Sequence, residues 1–148
     1  MAYGGMKMKG WGTLEVLDVD GEVKEYSEFT NTVTNTGKAE VVGLFTGVTG
    51  SAFDYVAIGT DSTAPTASDT AIGAELYRSQ STATRTTTTV TDDTAYYSGS
   101  IAITGSATIA EIGILNSSSG GVLLARAKDS KVVSNGDTLN YTYSVQFT

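Results

Sequence analysis

The chain has 148 residues, enough for one domain with a buried core, and carries a net charge of −7. It contains no Cys and no His, which excludes a disulfide framework, thiolate zinc sites and every Ser–His or Cys–His nucleophile pair. The acidic balance, interrupted by no basic run, repels phosphate backbones, so nucleic-acid binding is not expected.

Thr occurs 24 times, Ser 15 and Gly 17, against a single Pro. Thr is β-branched and suits strands, and the Gly, Asn, Asp and Ser clusters read as turns, so the composition points to an all-β chain. Eight Tyr, four Phe and one Trp supply apolar surface for a core and argue against low-complexity disorder. The first eleven residues show no apolar export segment, and no run reaches the ~18 apolar residues of a membrane span, so neither Sec export nor membrane insertion is expected.

Residues 1–10 (MAYGGMKMKG) are read as an N-terminal arm and 11–148 as one β domain. Strand-like runs Trp11–Val19 and Glu22–Asn31 flank Asp20-Gly21, which predicts a hairpin with a type I′ turn. Asp18, Asp20 and Glu22 crowd this turn but lack the later ligands of a calcium loop, and no metal site or cofactor is expected. Residues 36–46 form a short helix capped by Asn35 or Thr36 and stopped by Gly47, with Ala39, Val41, Val42, Leu44 and Phe45 as its apolar stripe. This helix is expected to plug one end of the β core.

A strand at Phe53–Gly59 runs into a polar loop through Thr70 that holds the only Pro, followed by a single helical turn over 71–76. Long ordered loops often make contacts, which marks Asp61, Thr63 and Pro65 as candidate interface residues. Thr82–Thr91 is a Thr ladder with two polar faces, the pattern of an edge or subunit-contact strand. After Asp92-Asp93 comes a strand that places Tyr97, Ile101 and Ile103 on one face. Thr108–Leu115 and Val122–Ala127 form a hairpin. If Leu115 pairs with Val122, Glu111 falls opposite Arg126, a structural ion pair in an apolar setting, with a catalytic carboxylate as the competing role. Leu139, Tyr141, Tyr143, Val145 and Phe147 alternate with polar residues in a final half-buried strand. Some eight strands with turns every 8–12 residues describe an antiparallel β-sandwich, jelly-roll-like, with one helix.

Three runs, NTVTNTGKAEVVGL (31–44), FDYVAIGTDSTAPTASDTAIGAEL (53–76) and IAEIGILNSSSGGVLLAR (109–126) followed by GDTL (136–139), resemble a group of small virion structural proteins of tailed phages. The resemblance spans roughly residues 30–148, and the IGT…TAPTASDTA and EIGILN…GG…LLAR…GD runs carry it. It implies no catalytic residues, a virion location, homo-oligomers with a trimer favoured, and the major capsid protein or tail proteins as partners. Non-enzymatic capsid decoration is the expectation that follows. A tail or fibre component, an extracellular pilin-like filament subunit and a carboxylate-based tail hydrolase are the competing readings. Tyr3, Met6, Met8 and Trp11, near a Gly-rich terminus, suit an arm that orders on docking; the alternative is a first strand completing its own core.

Overall fold

In the computed structural model, which describes residues 5–148, period-2 alternation of apolar residues organises the chain into nine strands and one helix. The strands are β1 (Met8–Leu17), β2 (Val23–Val33), β3 (Tyr55–Gly59), β4 (Glu75–Gln80), β5 (Thr82–Thr86), β6 (Thr94–Ala102), β7 (Ala107–Leu115), β8 (Leu123–Val133) and β9 (Thr138–Phe147); α1 spans Asn35–Thr46. They form one antiparallel sheet in the order β4-β3-β7-β8-β2-β1-β9-β6-β5. β2 makes the fold. Val23–Thr30 pairs with β1, and then Asn31–Val33 pairs with Ala125–Ala127 of β8, so one strand belongs to two halves. The halves close over each other, with β4 lying against β6. The Ser79 and Tyr141 hydroxyls meet at 3.0 Å across the closure, and Tyr77 Oη accepts from Thr104 N at 3.1 Å.

The all-β sandwich expected from the sequence is the fold observed. One half contributes Leu14, Val16, Phe29, Tyr97, Ile101, Tyr141 and Tyr143 to the core; the other contributes Val56, Ile58, Ile109, Ile112, Ile114, Leu124 and Val133. Full burial of such side chains contributes about 1.5–3 kcal/mol each. Gly12 admits the Phe29 ring, since a Cβ there would sit 2.5 Å from it; that ring meets Tyr143 edge-on at 5.0 Å. Burial pushes the Tyr97 hydroxyl up to about 12, and pushes Tyr143 higher still.

Several local expectations are corrected. The β1–β2 connection is a three-residue loop, not a type I′ turn: Asp18 N donates to Glu22 O, Gly21 N donates to Asp18 O, and only Gly21 takes positive φ (+82°). The helix is capped by Thr34, whose hydroxyl accepts from Gly37 N at 2.9 Å, rather than by Asn35 or Thr36; Gly47 does end it, at φ +72°. Residues 71–74 form turns without helix, and Glu75–Gln80 is the edge strand β4. The arm boundary after residue 10 also moves: β1 begins at Met8, and Lys7 and Thr148 exchange two backbone hydrogen bonds. Residues 8–10 pair with β9, which supplies their backbone partners.

The loop between β5 and β6 is organised by Asp93. Its carboxylate accepts from the backbone N–H groups of Thr88, Thr89 and Val90 and from Gln146 Nε2, at 2.8–3.0 Å. The Val90 N–H foremost, with the other donors, holds its pKa well below the ordinary 3.8. Asp61, Asp69 and Asp137 are depressed as well. A depressed carboxylate contributes stability above its unfolded value and loses it as pH falls through the folded one. Thermal unfolding should therefore be flat from neutrality down to about pH 5 and drop steeply below about pH 4. Asp93→Asn should lower the melting temperature at pH 7 and shrink the acid-induced drop, as read by circular dichroism melts across pH.

Candidate binding surfaces

The outer face of β3, β7 and β8 is covered by the 60–74 loop, and a buried ion pair holds it there. Glu111, fully buried on β7, receives four donors: Gly73 N (2.7 Å) and Arg126 Nε (2.9 Å) on Oε1, Asp61 N (2.9 Å) and Ala74 N (2.8 Å) on Oε2. A carboxylate offers about four lone-pair sites, so Glu111 is saturated. Arg126, 3% exposed, continues to Asp69 Oδ2 (3.2 Å), Asp61 O (3.3 Å) and Asp61 Oδ2 (3.5 Å). The Thr63 N–H, ahead of the Arg126 charge, holds the Asp61 carboxyl low. Burial works against ionisation of Asp69, but Thr66 and Arg126 outweigh it. Carboxylate neighbours raise the Arg126 pKa against its own desolvation.

The expected ion pair is present, by a different register. A bulge near Leu124 sets Leu115 opposite Leu123, so Arg126 faces Gly113 and Glu111 faces Lys128. The shift is two residues from the expected register, which keeps Glu111 and Arg126 on one face and makes their contact diagonal. Glycines make the loop's seat. A Cβ at Gly113 would lie 2.6 Å from Ile72 Cδ1, and one at Gly59 would lie 2.3 Å from Ala74 O. Ile72 thereby packs into a small second core with Ala57, Leu115 and Leu123.

A second surface lies at the end of the sandwich where β1 begins and β9 ends. α1 sits there because Gly37 lets its first turn approach β8: a Cβ would come within 2.6 Å of Leu124 O. Val41 is buried beneath it, but Val42, Phe45 (67% exposed) and Val48 face outward. Between the helix and the strand ends runs an apolar groove of about 490 Å³ lined by residues including Met8, Val41, Phe45, Phe53, Tyr97 and Phe147. A neighbouring hollow of about 570 Å³ shares Met8, Val41, Phe45 and Phe147 and adds Met6, itself 63% exposed. The charged residues lining the two are Lys7, Lys38 and Arg85, all cationic. Lys7 and Lys38 form no ion pair among the described residues, and Arg85 reaches Asp92 only at 3.9 Å.

The opposite end projects apolar residues among acidic ones. Val19 (72% exposed), Val23 and Val132 stand out from the β1–β2 and β8–β9 ends. Asp18, Asp20, Glu22 and Glu25 surround them. The cations beside them in the chain are both paired, Lys24 with Asp137 at 2.7 Å and Lys131 with Asp129 at 3.0 Å.

The structure sorts the candidate interface residues into three places. Met6 and Met8 join at the apolar groove. Trp11 is an odd number of residues from Met8 and so projects from the other face of β1, beside Thr13, Tyr96 and Ser144. Asp61, Thr63 and Pro65 lie on the stapled loop, where Asp61 is engaged internally by Arg126 and by Thr63 N. Tyr3 lies outside the described residues. The sequence reading missed the outward face of α1, although apolar residues at 41, 42, 44, 45 and 48 cover more of the helix circumference than one core contact needs. Among the described residues no group of three or more carboxylates is placed to hold a metal ion, and no helix is long and apolar enough to cross a membrane. No family model, no curated protein and no solved structure matches the chain.

Removing Arg126 strands a buried carboxylate, which costs about 3–5 kcal/mol. Arg126→Met should lose that much stability in urea denaturation and speed amide exchange across residues 61–74. Adding Glu111→Leu should not restore it, because the Asp61, Gly73 and Ala74 N–H groups would then lack an acceptor.

Proposed function

We propose that the protein is a non-enzymatic virion structural protein of a tailed phage, a decoration protein that docks on the assembled capsid and stabilises it. The observation that carries this reading is the apolar, cation-rimmed groove at the α1 end, which combines exposed Met6, Val42 and Phe45 with Lys7, Lys38 and Arg85. A contiguous exposed apolar surface edged by charged residues is the composition of a protein contact. The partner is the major capsid protein, and the working form is a homo-oligomer. The mechanism is mass action: a ligand of the assembled lattice, with no affinity for free subunits, stabilises it by RT ln(1 + [L]/Kd) per site.

The phage-like runs support the same reading from another side. They build the staple and its seat: Gly59, Asp61, Asp69 and Gly73 in the second run, Glu111, Gly113 and Arg126 in the third. The first run supplies Lys38, Val41 and Val42 to the groove surface itself, so the resemblance covers both scaffold and contact surface. A tail or fibre position is the second reading, favoured by the opposite charges at the two ends of the sandwich, which suit end-on stacking.

Quantitative mass spectrometry of purified virions decides among these. Near-stoichiometric copies relative to the major capsid protein are expected; a handful of copies would move the protein to the tail or fibre, and absence from the particle would end the virion reading. In co-sedimentation with assembled shells, Phe45→Asp should weaken binding by at least tenfold with an unchanged melting temperature, since the side chain is exposed. A deletion of residues 1–6 should weaken it less, whereas one of 1–10 would also remove strand pairing to β9.

A further inference from the structure

We infer that copies of this chain associate head to tail, the acidic β1–β2 hairpin tip of one copy seating in the cation-rimmed apolar groove of the next. The inference does not depend on a virion location; a seated tip competes with shell docking for the same groove, leaving only the terminal groove of each assembly open to another partner. Both halves of the contact sit on every copy, at opposite ends of β1: Met8 lines the groove, and Leu17 leads into the tip. Ten residues of strand separate them by about 30 Å.

The chemistry of the two ends matches. The tip offers one projecting apolar side chain, Val19, flanked by Asp18, Asp20 and Glu22; the groove offers an apolar floor flanked by Lys7, Lys38 and Arg85. In a chain of net charge −7, most approaches between copies are repulsive. The orientation that brings tip to groove is attractive at close range and is thereby selected. The tip is also held ready. Asp18 Oδ1 accepts from Asp20 N (2.9 Å) and Glu22 N (3.0 Å), Gly21 takes the left-handed conformation, and Val19 Cγ1 lies over Gly136, where a Cβ would come within 2.7 Å. A preorganised tip loses little conformational freedom on seating. Because the two patches differ and lie at opposite poles, the contact is heterologous, so each docked copy leaves a free groove at one end of the assembly and a free tip at the other.

The test uses the full chain in sedimentation velocity. The wild type should form concentration-dependent oligomers that weaken as salt rises. Phe45→Asp destroys the groove and Val19→Lys destroys the tip; both positions are exposed, and melts should confirm intact folding. Each variant alone should be monomeric. Their equimolar mixture should form a species of two copies and no larger, since one live groove meets one live tip. A wild type that stays monomeric at every concentration and salt overturns the inference. So does assembly that survives either substitution, or a mixture that remains monomeric. A full chain that is monomeric while a deletion of residues 1–6 assembles would make the chain's own N-terminus the occupant, and would also overturn it.

Discussion

Glu111 is a carboxylate placed where no water reaches, and much of one side of the molecule is arranged around satisfying it. An isolated buried charge is among the most costly features a fold can contain. Here the cost is offset by one guanidinium and three backbone N–H groups, all three from the segment that leaves β3 and returns to β4. The segment is thereby made part of the sheet's outer layer although Ile72 is its one large apolar side chain. Arg126 extends the arrangement outward to Asp61 and Asp69, so its one cation contacts three carboxylates at decreasing depth. Specificity is the return on this expense: the loop's placement must bring all three of its N–H donors to the carboxylate.

That arrangement divides the molecule into a side that is committed and ends that are not. The outer face of β3, β7 and β8 is used internally, and the loop that looked suited to contact is bound down on it. The ends of the sandwich are where apolar groups remain exposed, because strand ends and a loosely amphipathic helix cannot be covered by sheet pairing. The differing charge of those ends follows from chain order. The β1–β2 turn is built from Asp, Glu and Gly because a left-handed glycine and an Asp acceptor make it turn, while the other end collects Lys7, Lys38 and Arg85.

What was legible in the sequence was legible through periodicity. The alternation in β9, the polar ladder of β5 and the stop at Gly47 each depend on a residue's immediate neighbours. The chemistry of the Glu111–Arg126 pair was legible too, since a lone Glu among isoleucines needs a cation. Its register was not, because one extra residue at Leu124 depends on packing against the opposing strand. The tethering of the 60–74 loop was invisible for a similar reason: the donors that hold it are backbone N–H groups, which the residue names do not reveal. The grouping of Trp11 with Met8 failed on simple parity along a strand. The apolar groove was half legible, in Met6 and Met8; the missing half was the surplus of apolar residues on α1.

β9 occupies the middle of its half of the sheet, between β1 and β6, and supplies Leu139, Tyr141, Tyr143 and Val145 to the core. β1 pairs along its whole length with this strand, more than 120 residues later in the chain. During synthesis, therefore, the first strand waits for the last. Until β9 is in place, β1 and β6 each lack one pairing partner and the core lacks its central residues. Such a topology, dominated by long-range strand pairing, folds slowly. The polar Thr ladder of the β5 edge and the acidic residues flanking it discourage partly assembled sheets from pairing with one another.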